Sequence, residues 1–563
     1  MAHTTSTMND IAVHAEAPAS SSEPAPRAAA TLVVVRDGPC GLEVLLLRRA
    51  ERGDHNSGAW VFPGGLVDPG DRLASACARG LEARTANERL GLDDGALDYY
   101  MCAIRECFEE CGLLFADGPR PDAPTLQTWR GQIHRGELAW ADLCRRAGWV
   151  LRPDRLAYLS HWLTPKGRAK RFDTRFFVAV APAGQDTAHD DLETVEHGWF
   201  RPQDVLARDP AQFKLMTPTR VTLDVLSRFA QARALMAWAH APREVALVMP
   251  RIGRGPQGER PVMPDEPAWA EIGRLDPQGH GHASYALEPG VPVRLSERVI
   301  RITAPNGSVM TGPGTNTYLV GGGAAQRWTV IDPGPPDEAH VQAVLAAAPG
   351  PIEAIVLTHS HKDHSPAAWR LRELTGAPVA GRWPAHPQGH DAHLALDVEL
   401  QHGQRLSCAE HAHLRVWHTP GHASNHLCFL LEEEKLLFTG DHVMQSSTVV
   451  INPPDGDMTA YLDSLRALLD LDLDWLAPGH GFLMAEPRRV LEGLIAHRLH
   501  REALVLQAVA RLGPASVPVL REQVYADLRP ALHAMAERSL LAHLLKLQSE
   551  GRVRESEAGW IVA

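Results

Sequence analysis

The segment Ala354-Ile-Val-Leu-Thr-His-Ser-His-Lys-Asp-His364 constrains this chain more than any other. A short apolar run of strand type leads straight into a polar loop that carries His359, His361, Asp363 and His364. His359 and His361 lie two apart and can converge on one metal, while Asp363 and His364 can point toward an adjacent position. Three further segments follow in order: His418-Thr-Pro-Gly-His422, Phe438-Thr-Gly-Asp441 and Ala477-Pro-Gly-His480. Each sets a histidine or a carboxylate just past a turn or a strand. Neutral imidazoles and carboxylates at strand ends are the ligands that Zn²⁺ and similar divalent metals use. A carboxylate between two metals can bridge them. Four such segments in this order predict a metal site.

A chain of 563 residues exceeds one hydrophobic core and predicts roughly three or four domains. No apolar run approaches the roughly 20 residues that a membrane helix requires. Asp10 and Glu16 stand where a secretory signal would be basic and then apolar, so a cytoplasmic location and no membrane partner are expected. The eight cysteines form no CxxC pair and read as reduced, mostly buried thiols. A net charge of −12 argues against broad affinity for nucleic acid, which depends on neutralising phosphates with Lys and Arg.

By pattern, residues 1–27 read as a flexible tail and 28–248 as a first α/β domain. Pro and Gly punctuate 249–291, the signature of a linker. A second large domain is expected over 292–512, and a compact tail over 513–563 with helices at Val519–Leu528 and Met535–Ser549.

The series HxHxDH, PGH, GD and PGH resembles that of the metallo-β-lactamase superfamily, and Thr329-Val-Ile-Asp-Pro-Gly334 matches its early aspartate motif. The resemblance implies an αββα sandwich. It also implies that His359, His361 and His422 hold one metal and Asp363, His364 and His480 the other, with Asp441 as the bridge and Asp332 orienting the site from behind the ligands. Two Zn²⁺ ions and attack by a metal-activated water on an electrophilic carbonyl or phosphorus follow from it, with Asp363, His364 and Asp441 as the catalytic group. Gly312-Pro-Gly-Thr-Asn-Thr-Tyr-Leu-Val-Gly321, His418–His426 and Ile495-Ala-His-Arg498 resemble the β-lactamase-like-protein-2 branch, which carries a small winged helix after the hydrolase. Ser539–Leu547 and Glu550-Gly-Arg-Val553 look like that appendage.

The first domain holds a second signal. Arg105-Glu-Cys-Phe-Glu-Glu-Cys-Gly-Leu113 puts Glu106, Glu109 and Glu110 on one face of a helix. Three carboxylates so placed repel one another unless cations neutralise them, and oxygen ligands suit Mg²⁺ or Mn²⁺. With Val61-Phe-Pro-Gly-Gly65 and Asp71 upstream, this resembles a Nudix box of the CoA-diphosphatase-like branch, with an α/β/α sandwich. Asp71 stands where the box has Glu, and residues 72–104 form a long insertion. The resemblance implies that Glu106, Glu109 and Glu110 hold the metal, that Glu109 or Glu110 serves in catalysis, and that Arg105 pairs with an acidic group such as Asp71. Arg48, Gly58 and Phe62–Gly65 fit a CoA-recognition pattern, whereas Asp54 replaces a basic residue.

The expected activity is therefore a metal-dependent hydrolase of thioester or ester substrates fused to a Nudix diphosphatase-like domain. Its expected substrate is a small molecule, an acyl-thioester or a CoA-like diphosphate. An endoribonuclease acting on single-stranded RNA and a non-catalytic binding module are the alternatives.

Overall fold

The computed structural model describes residues 25–50, 57–188, 194–324, 326–445, 448–526 and 528–563. Most of the expected tail, residues 1–24, and Asp54 lie outside them. The chain divides into two compact units, Met1–Pro250 and Arg251–Ala563. No helix among the described residues is long and apolar enough to cross a membrane.

The first unit is built on a mixed sheet of eight strands. The strand Arg27–Gly38 buries Leu32–Val35 without a break and runs parallel to Phe172–Val180, Thr31 lying opposite Phe176. Such an unbroken apolar run is what a strand covered on both faces requires. Against it packs the helix Ala96–Cys111, whose buried positions Ala96, Tyr100, Ala103, Cys107 and Cys111 recur at helical spacing. Tyr100 meets Phe177 with ring centroids 4.3 Å apart. Gly112, at φ 75°, ends this helix in the left-handed conformation that glycine adopts without penalty. The long insertion at 72–104 is ordered and includes a helix at Ala83–Leu90. The helix Ala123–His134 is capped by Asp122, whose carboxylate accepts the amide of Thr125 at 2.9 Å. Asp122→Ala should cost about 1 kcal/mol of stability in chemical unfolding. A loss below a few tenths would show that the cap is dispensable.

In the second unit a seven-stranded sheet spans Val293 to Glu399 and a six-stranded sheet spans Arg405 to Ala485. Their inner faces share one core, in which Tyr318, Val320 and Ile331 of the first sheet meet Leu414, Phe429 and Phe438 of the second. The outer face of the first sheet is covered by the helices Glu338–Ala347 and Ala368–Thr375. That of the second is covered by Met458–Leu468 and the 26-residue helix Pro487–Leu512. The result is an αββα sandwich, in which two-sided sheets bury their apolar faces inward and outward at once.

The last residues form a separate small core, where Val505 and Val509 of the long helix pack with Leu520, Leu540, Leu544 and Trp560. The helix expected from Val519 begins at Val517 and ends at Val524. Pro518 sits in its first turn, where a missing N–H costs nothing. A further helix, His533–Ser549, leads into the hairpin Val553–Ser556 and Gly559–Val562.

Residues 251–291, expected to be a linker, contain regular structure instead. The strands Arg251–Gly255 and Gly258–Val262 form a hairpin, and Trp269–Leu275 a helix. Ile252, Val262, Ala268, Ile272 and Ala283 are buried, too few and too spread among Pro and Gly to show a period in the sequence. Glu271 of that helix is 2% exposed and forms a two-pronged ion pair with Arg301, itself 1% exposed, at 2.6 and 2.8 Å.

Candidate metal centre

The strand Ile352–Val356 ends beneath the loop that carries His359, His361, Asp363 and His364. The strands Ala412–His418, Leu436–Gly440 and Trp475–Pro478 end in the loops of His422, Asp441 and His480. Because these strands lie in two facing sheets, their loops collect at one rim of the sandwich.

Two groups of side chains come together there. The ligand atoms of His359, His361 and His422 all lie within 4.8 Å of one another, and so do those of Asp363, His364, Asp441 and His480. The separations are those of metal ligands. His361 Nδ1 stands 3.0 Å from His422 Nε2. Asp441 Oδ1 is 3.4 Å from His364 Nε2 and 3.2 Å from His480 Nε2, and Asp363 Oδ2 is 3.5 and 3.4 Å from the same two atoms. The second oxygen of Asp441 is 3.8 Å from His422 Nε2 in the other group. Bonds of about 2.0–2.2 Å place neighbouring atoms of a tetrahedral shell roughly 3.3–3.6 Å apart.

The outer nitrogens of four histidines are already engaged. His422 Nδ1 donates to the carbonyl of Val450 at 2.7 Å, and His480 Nδ1 to that of Gly314 at 3.1 Å. His364 Nδ1 donates to Asp332 Oδ2 at 2.9 Å. The Thr358 hydroxyl donates to the same Asp332 oxygen, so its own oxygen accepts His359 Nδ1 at 3.0 Å. These bonds fix the tautomers and leave each Nε2 bare toward the centre. Among the described residues, His359 Nε2, His364 Nε2 and Asp441 Oδ1 are buried without a hydrogen-bond partner. Buried polar atoms are ordinarily satisfied, so bare ones within these two groups fit bound cations.

The electrostatics divide the groups. Burial, and then the neighbouring imidazoles, hold His359 well below the usual histidine range and push His361 down to about 3. His422 is lowered by burial as well. Neutral imidazoles are what a metal needs. In the other group burial is outweighed by the carboxylates: Asp441 and Asp363 lift His480 to about 9, and Asp363, Asp441 and Asp332 hold His364 well above its ordinary value. His480 and His364 in turn hold Asp441 far below the carboxylate range. A dense negative site of this kind accepts protons or metal cations.

Asp332, expected to orient the site, and His426, at the end of the His418–His426 segment, support it from behind the ligands. Asp332 adopts φ 50°, a strained conformation for a residue with a side chain, and also accepts the Thr358 amide at 2.7 Å. His426, fully buried, accepts the Asp441 amide on Nε2 at 3.2 Å while Nδ1 meets the Thr419 hydroxyl at 3.0 Å.

In the first unit the three glutamates project from one helix, but their oxygens do not gather within 4.8 Å as the histidine groups do. Arg105 stands among them instead. Its Nη1 donates to Glu106 at 2.8 Å and to Glu109 at 3.1 Å, while Nε and Nη2 grip the fully buried Asp71 at 2.7 and 3.0 Å. Glu110 accepts the amide of Gly64 at 3.3 Å. Burial pushes Glu106 up to about 7. A Cβ on Gly65 would stand 2.3 Å from the Glu106 carboxylate, so a side chain there would displace that carboxylate.

Residues 310–480 match the model of the metallo-beta-lactamase superfamily. A beta-lactamase-like protein 2 homolog of Drosophila melanogaster is 33% identical over 291 residues, 48% of this chain and 95% of that protein. The chain belongs to the metallo-β-lactamase superfamily. Residues 516–560 match the beta-lactamase associated winged helix domain. Residues 25–86 match the NUDIX domain and 93–221 the NUDT19 Nudix domain. This superfamily member is thus a hydrolytic enzyme that also carries a Nudix domain and a winged helix. The atrochrysone carboxyl ACP thioesterase of Aspergillus fumigatus is 33% identical to it over 39% of this chain and 67% of that protein. The crystal structure of the family protein TTHA1429 from Thermus thermophilus covers 48% of this chain and 100% of that one, with 24% identity and a TM-score of 0.42.

Proposed function

We propose that the second unit hydrolyses acyl-thioesters or related esters of small molecules at a two-zinc centre. His359, His361 and His422 form one ligand set, Asp363, His364 and His480 the other, and Asp441 lies between them. The observation that carries this reading is the gathering of the ligand atoms within 4.8 Å in each of two groups, where His359 Nε2, His364 Nε2 and Asp441 Oδ1 are buried without partners. Zinc bound there supplies a Lewis acid and an acidified water. The chain supplies the rest. Asp332, Thr358, Val450 and Gly314 fix the imidazole tautomers, and Asp441 balances the charge of both halves.

The thioester class is supported by the thioesterase among the relatives and by the acidic balance of the chain. RNA is the second reading, favoured by the winged helix. Several cations of that appendage are engaged in ion pairs: Lys546 with Glu502 and Glu550, Arg521 with Glu537, and Arg552 with Glu502 and Glu550. Paired charges contribute little to phosphate binding. We assign to the first unit a Mg²⁺- or Mn²⁺-dependent diphosphatase of CoA-like substrates through Glu106, Glu109 and Glu110. The domain limits 28–248, 292–512 and 513–563 and a cytoplasmic location complete the proposal.

The full chain, loaded with Zn²⁺, should hydrolyse acyl-CoA thioesters faster than single-stranded RNA and lose this activity to a chelator. With Mg²⁺ it should release phosphorylated products from CoA. Turnover of RNA alone would replace the thioester reading. Chelator-resistant hydrolysis would remove the metal from it.

A further inference from the structure

Five histidines surround the candidate centre, and His361 is held differently from the rest. It faces the centre through Nδ1, and among the described residues no carbonyl or carboxylate hydrogen bond orients its ring from behind. Its ring lies instead on that of His390, centroids 4.7 Å apart and planes inclined by 32°.

His390 is itself locked at both nitrogens. Its Nε2 donates to Asp455 Oδ2 at 2.9 Å. Its Nδ1 lies 2.8 Å from the hydroxyl of Ser360, the residue between His359 and His361. Asn425 Nδ2 donates to that same Ser360 oxygen at 2.9 Å, so the Ser360 proton goes to His390. Asp455 also accepts the amide and hydroxyl of Ser424 at 3.0 and 2.5 Å. Ser360, His390 and Asn425 are nearly fully buried, at 1%, 4% and 1% exposed. The order Ser–His–Asp is that of a hydrolytic triad, but here the serine has no access to solvent and its proton is spent. The network ties together the loops of His361, His422 and Asp455.

We propose that His390, anchored by Asp455 and Ser360, is the positioning residue for His361, taking the place of the hydrogen bond that the other four histidines have. Outer partners of metal-bound histidines fix ring orientation and tune affinity, and losing one costs about 10- to 100-fold in metal binding. A stacked, doubly hydrogen-bonded ring can do the same mechanically, because it leaves His361 one orientation. The inference rests on the ligand assignment proposed above.

The test is titration of the full-length chain with Co²⁺, followed by its visible absorption, on the parent, His390→Ala and Asp455→Asn. The parent should bind two equivalents at the histidine centre, in addition to any Co²⁺ held by the glutamates of the first unit. His390→Ala should weaken the equivalent held by the three-histidine group by about 10- to 100-fold and alter its absorption bands, leaving the other equivalent unchanged. The nearly isosteric Asp455→Asn should shift the same equivalent in the same direction by less, and it stands in if His390→Ala fails to fold. Parent-like affinity and spectrum in both variants would overturn the role of His390. If the parent itself takes up no Co²⁺, the ligand assignment fails and this inference with it.

Discussion

An Asp441→Ala chain should lose hydrolysis by about 10³-fold or more, roughly 4 kcal/mol of transition-state stabilisation. It should lose bound metal in parallel, as read by elemental analysis of the purified protein. Among the described residues Asp441 is the one whose two oxygens face both groups, Oδ1 toward His364 and His480 and Oδ2 toward His422. Removing it leaves the second group with Asp363 as its only carboxylate. Because Asp441 is held by its amide to His426 rather than by core packing, the fold should survive, and circular dichroism should be unchanged. Activity within tenfold of the parent would remove Asp441 from the machinery.

The second large effect lies away from the site. Glu271→Ala should destabilise the second unit by about 3–5 kcal/mol, because among the described residues no other acid forms an ion pair with the buried Arg301 guanidinium. The Leu483 amide, which donates to Glu271 at 2.8 Å, loses its acceptor as well. Chemical unfolding followed through this unit should show the change in midpoint. A double change of Glu271 and Arg301 to apolar residues should recover much of it, since a matched pair costs desolvation at both ends. A loss below 1 kcal/mol in Glu271→Ala would mean that water reaches Arg301.

Sequence and structure agree where a single short pattern carries the information. The apolar run 354–357 followed by His359 already places a strand under a ligand loop, and the spacing of Glu106, Glu109 and Glu110 already groups the three along one helix. The hidden features are those that depend on residues distant in the chain. The aspartate motif already marks Asp332 as orienting the site, but nothing in the sequence reveals that its backbone sits at φ 50° while its carboxylate reaches both Thr358 and His364. His390 and Asp455 lie in Pro- and Gly-rich loops that carry no periodicity. Glu271 sits in a segment whose apolar residues are too sparse to distinguish a packed hairpin from a tether. Arg105 could be matched to an acidic partner from the sequence, but its simultaneous grip on Glu106 and Glu109 depends on how the helix meets Gly65.

The helix Pro487–Leu512 reaches from the sandwich to the terminal winged helix without a break, and on its way Arg498, 3% exposed, donates to the carbonyl of Val449. The next carbonyl, Val450, holds the ring of His422. At 1.5 Å per residue this helix is a rod about 39 Å long. A rod transmits tilt along its length, where a jointed connection would absorb it. A shift of the small terminal lobe would therefore be expected to reach, through Arg498, the peptide that holds His422.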